Sequence, residues 1–138
     1  MAIAHFPSLA SAETVEVTFD PPTGAERTFR LLVDSGFTGQ SSFVLPDTAS
    51  NLAHAQAAAS QVTGALQGTQ QRVVVSCRVP AVAFQSVAIA ILADVSGLAL
   101  PPGIDGLTGL RFLRHFRRWG SERADTGGWN FYLETDGP

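Results

Sequence analysis

The chain has no lysine: all nine of its basic residues are arginine, a choice for which the sequence offers no physical reason. Against 12 acidic residues they leave a net charge of −3, so nothing overall points to nucleic acid or an anionic membrane as a partner. Cysteine is scarce too. Cys77 stands alone, which excludes an internal disulfide framework and fits a reducing, cytoplasmic setting. His5, His54 and His115 do not combine with it at metal-ligand spacing, so neither metal nor cofactor is expected. No apolar run approaches the length that spans a bilayer. Residues 1–12 lack the positive start and long apolar centre of a secretory leader. What is present is an apolar fraction of 45% with 15% charge over 138 residues, which reads as one globular domain too short for two lobes.

Thr14-Val15-Glu16-Val17-Thr18-Phe19 alternates apolar and polar side chains and reads as a strand with one wet face. Turn formers at 20–24 return the chain into a second strand, about 27–33, which begins with alternation and becomes wholly apolar. A short strand is expected at 41–45. Pro46-Asp47-Thr48 then offers helix-start chemistry before an Ala-rich segment, predicted as a helix to about residue 60. Residues 62–71, with Gly64 and Gly68, read as a turn leading into a strand at 72–79 that Pro80 ends. Residues 82–84 and 86–93 are further strand material. Phe112, Leu113, Phe116 and Trp119 fall at helical spacing, leaving Arg111, Arg114, His115, Arg117 and Arg118 on a wet face. Residues 120–128 read as a polar linker and 129–134 as a last strand. The sum is all-β with one or two short helices, the pattern of a small closed barrel or sandwich. A single domain over 1–138 is expected, with its core at about 14–119 and an extension at 120–138.

The most pointed stretch is Leu31-Leu32-Val33-Asp34-Ser35-Gly36-Phe37-Thr38-Gly39, an apolar strand that delivers a carboxylate into a glycine-rich turn. An acid beside a buried strand is costly, so Asp34 is expected to be hydrogen-bonded, protonated or held for use. By itself Asp-Ser-Gly is also an ordinary turn sequence. Its context separates the two readings: the apolar triplet before it, Phe37-Thr38-Gly39 after it, and a second apolar-Gly segment far downstream.

With that context the run resembles the active-site motif of the retropepsin-like aspartic proteases, of the bacterial single-domain type. Leu107-Thr108-Gly109-Leu110-Arg111-Phe112-Leu113 is similar to the family's late apolar-apolar-Gly element, which packs behind the catalytic loop and leads into a short helix. Two positions depart from that pattern: Thr108 where the family is apolar, and Arg111 where many cellular relatives carry Asp. The resemblance implies a closed β-barrel of the acid protease fold and an aspartic endopeptidase acting on a peptide or protein. It makes Asp34 the catalytic carboxylate, Ser35 a brace across a dimer axis, and Gly36 a close-approaching N–H donor. Phe37 would wall the pocket. A substrate-covering hairpin flap is implied at about 64–72, with Gly64 in it and Gly68 near its tip.

Amide hydrolysis without a metal or a covalent intermediate needs one group to take a proton from water and another to give one. Two carboxyls sharing a proton do both, and one cannot. The chain holds one Asp-Ser-Gly, and Asp105-Gly106 lacks the hydroxyl residue and the apolar strand before it. The reading therefore demands a homodimer in which Asp34 meets its twin. Two other functions stay open: a non-catalytic peptide-binding or scaffold module of the same fold, and a β-domain that docks on a polyanion through residues 114–118.

Overall fold

The computed structural model describes residues 1–9, 12–57, 60–62 and 68–136. It is mainly β, built on a closed barrel of six strands. In barrel order these are β2 (Thr14–Asp20), β3 (Arg27–Val33), β9 (Gly106–Thr108), β4 (Phe43–Pro46), β8 (Phe84–Ala93) and β7 (Gly68–Val79). Pairing of Phe19 with Cys77 returns β7 to β2 and closes the ring. The barrel is mixed, with β3–β9 and β4–β8 parallel and the other neighbours antiparallel.

Alternation along the strands divides two apolar groups. Val15, Val17, Phe19, Leu31, Phe43, Leu45, Val73, Val75, Cys77, Ala90 and Leu92 fill the barrel. Val44, Ile91, Ala93 and Leu107 form a second cluster outside it, with Leu32, Phe37, Val95, Leu98 and Leu100 packed against them. Phe19, Phe43 and Phe112 run through the interior at centroid separations of 5.1 Å. Phe112 and Leu113 come from α1 (Leu110–Leu113), a single turn whose fully buried side chains each contribute about 2 kcal/mol of apolar burial. That turn anchors the end of the barrel.

A three-stranded sheet packs beside it in the order β1 (Ala2–Pro7), β11 (Trp129–Thr135), β10 (Arg118–Arg123). Ala4, Phe131 and Leu133 from this sheet belong to the same buried cluster as the barrel interior. The core thus reaches beyond residues 14–119 at both ends.

Four further expectations are corrected. The Ala-rich helix to residue 60 is a 3₁₀ turn at Asp47–Leu52 followed by β5 (Ala55–Gln56). There the backbone instead bonds to β7, His54 N–H to the Val74 carbonyl and Ala57 N–H to that of Arg72, both at 2.8 Å. The first part of the polar linker, residues 120–123, belongs to strand β10 while 124–128 are the turn after it, and the helix after Gly109 stops before Trp119. β6 (Ser60–Val62) pairs with the start of β7, so residues 68–71 are strand rather than turn.

Candidate active site

Two consecutive strands, β3 and β4, are separated in the barrel by β9, which arrives much later in the chain. β9 runs parallel to β3 and antiparallel to β4. Asp34 follows the last residue of β3. Its N–H donates to the Thr108 carbonyl at 2.9 Å, extending the β3–β9 pairing into the loop. The Asp34 carbonyl accepts the Phe37 N–H at 2.9 Å and closes the turn. Its carboxylate Oδ1 accepts the Gly36 N–H at 3.0 Å.

The segment after β9 holds this loop by backbone contact. Gly109 lies so close to the Phe37 carbonyl that a Cβ there would overlap the oxygen, and Leu110 N–H donates to that same carbonyl at 3.2 Å. Gly106 stands in the same relation to the Val44 carbonyl. Asp105 Oδ2 accepts the Arg30 N–H at 2.9 Å, so this acid fastens β9 to β3. Thr108 is wholly buried, and its hydroxyl donates to the Ser42 carbonyl at 3.0 Å. The polar residue at an expected apolar position is therefore satisfied and ties β9 to the start of β4.

Asp34, Ser35 and Gly36 are all exposed in the single chain, and the carboxylate is hydrogen-bonded there, one of the three states expected for it. Leu31 points into the barrel and Leu32 into the outer cluster, but the strand ends one residue short of the acid. The turn then carries Asp34 out. Phe37 is half-buried in the outer cluster beside Leu107. Of the flap residues, Gly64 lies outside the described residues, and Gly68 opens β7 opposite Val62. Cys77 is buried in β7, and desolvation pushes its thiol up to about 12, outside the range of a neutral-pH nucleophile.

A cleft of about 680 Å³ opens beside the loop, but Asp34, Ser35 and Gly36 do not line it. Its walls are residues 38–40 and Ser42, residues 87–89 of β8, and the α1 side with Leu110, Arg111, Arg114 and His115. Sequence reasoning found the arginines as a wet helical face. It missed Gln40, Ser42 and residues 87–89, which only the barrel topology brings together.

Comparison with known proteins finds no matching family model, curated protein or solved structure.

Proposed function

We propose that this chain is one half of a homodimeric, retropepsin-like aspartic endopeptidase whose two Asp34 carboxyls activate water against a peptide bond. The observation that carries the reading is the mounting of Asp34. An exposed carboxylate sits on a tight turn whose backbone is gripped by Thr108, Gly109 and Leu110, as the resemblance requires of an apolar-Gly element behind a catalytic loop. Rigid backbone support is what a group needs to meet a symmetry mate at fixed distance.

In the dimer, two carboxyls at close range cannot both ionise comfortably, so one keeps a proton. The ionised Asp34 takes a proton from water as it attacks the carbonyl carbon. The protonated one donates to the carbonyl oxygen, and the resulting diol collapses with a proton passed to the leaving amine. Gly36 N–H steadies the carboxylate in each protomer, and Ser35 braces the paired loops. The flap assigned to about residues 64–72 takes in the start of β7, which pairs antiparallel with β6, and would lie over an extended substrate.

The test is cleavage of an unstructured protein or peptide library at mildly acidic pH by wild type and Asp34→Asn. The variant should keep the fold and the dimer and lose activity by about 10²–10⁴-fold. Undiminished cleavage in the variant rejects the assignment. A wild-type dimer that binds peptides and cuts none favours the non-catalytic module.

A further inference from the structure

The cleft behind the Asp34 loop has the make-up of a binding site in its own right. β4 pairs with β8 only from Ala90 onward, and Ser42 N–H donates to the Ile89 carbonyl at 2.7 Å just before that pairing starts. Upstream of it the two segments diverge. Residues 84–88 of β8 keep a strand neighbour, β7, on one side only among the described residues. Val87 is 67% exposed at this open edge, and Ala88, Ile89 and Leu110 continue an apolar lining.

The remaining wall is cationic. Arg111 on α1 and Arg114, which caps its C-terminal end in helical conformation, are three apart and so share a face. Both are exposed, and neither has a carboxylate partner among the described residues. His115 stands beside them, its ring against Phe84. Among the described residues no acid lines the cleft, although the chain carries more acids than bases. Thr38, Gln40 and Ser42 add neutral polar groups.

We infer that this cleft binds an acidic peptide segment in extended form, its backbone alongside the open part of β8 and a Glu or Asp carboxylate between Arg111 and Arg114. An open strand edge offers main-chain groups that a peptide satisfies by adding a strand. Guanidinium groups match carboxylates in planar, two-point geometry. A nucleic acid fits less well. The arginines that would extend the patch, Arg117 and Arg118, are drawn to buried Glu134 at 3.6 and 3.0 Å, and a phosphate backbone needs a longer positive track. The inference does not rest on the reading of Asp34.

Fluorescence anisotropy of a short labelled peptide alternating Glu and Val tests it on the Asp34→Asn chain, which leaves the cleft untouched and the probe uncut. The Glu peptide should bind at least about tenfold more tightly than its Gln counterpart, and Arg111→Gln/Arg114→Gln should remove that preference. Thr38→Glu, which sets a negative charge in the cleft and leaves both arginines in place, should weaken the Glu peptide similarly. Equal binding of the Glu and Gln peptides, or an unchanged preference in both variants, overturns the inference. So does a single-stranded RNA that displaces the Glu peptide at equal or lower concentration.

Discussion

Cys77 faces the barrel interior between Val75 and Val79, and burial pushes its thiol from 9.0 up to about 12. Above pH 9 the unfolded chain therefore releases this proton while the native chain keeps it. The contribution is fully present below the unfolded value and is lost as pH rises towards 12, by up to about 1.4 kcal/mol per pH unit. Urea melts of wild type and Cys77→Ala from neutral to alkaline pH isolate it, because the other titrating groups are common to both. The stability difference should move against wild type above pH 9, and the native thiol should resist alkylation until the chain unfolds. A parallel pH course in the two proteins would contradict this burial. The small, buried character of Cys77 was legible from the β-branched residues around it in sequence. The exposure of Asp34 was not, because burial after a strand end depends on what the fold lays over the turn. The cleft also lay beyond local reading: its walls come from segments whose neighbourhood only barrel closure determines.

At the scale of elements, the loop and the β9–α1 segment act as one unit, joined backbone to backbone at Gly109 and Phe37. Gly109→Ala pushes a methyl into the Phe37 carbonyl. Relief requires the Asp34 turn or the start of α1 to move, which should cost about 2–4 kcal/mol. Gly128→Ala meets nothing within 4 Å and should stay within about 0.5 kcal/mol of wild type. Thermal melts compare the two, and hydrogen exchange at the Phe37 and Leu110 amides should rise in the first variant alone. Equal melting temperatures would mean that the grip is not structural. Since neither pattern by itself names the other as its partner, the pairing of an early Asp loop with a late apolar-Gly segment was legible only through the family resemblance that the two motifs carry. β10 was not. Its residues, Arg118–Arg123, are nearly all exposed on a sheet edge, so no alternation marks it, and edge strands favour such charge. The Ala-rich stretch misled for the opposite reason: its helix propensity is real, but the backbone at His54 and Ala57 finds better-placed partners on β7.

For the whole molecule, short strands and frequent turns, which the sequence displays, narrowed the fold to a small closed barrel or a sandwich, and the family resemblance favoured the barrel. The joining of residues 2–7 to 129–135 does not follow from them, since those partners stand at opposite ends of the chain and each run alone is too short to announce its mate. The proposed activity makes a further demand at this scale, since one chain supplies one Asp34 and the chemistry needs two. Mixing inactive protomers with active ones then has a quadratic cost. If Asp34→Asn exchanges freely with wild type, an equal mixture forms wild-type pairs in about a quarter of its dimers, and hybrid pairs hold an Asp opposite an Asn that cannot share its proton. After exchange, activity should settle near a quarter of that of the same total amount of undiluted wild type. Dilution alone should lower the specific activity as pairs separate. Retention of one half, with no loss on dilution, would mean that each protomer works by itself, and the paired-carboxyl mechanism would fall while the barrel and its acidic-peptide cleft stood.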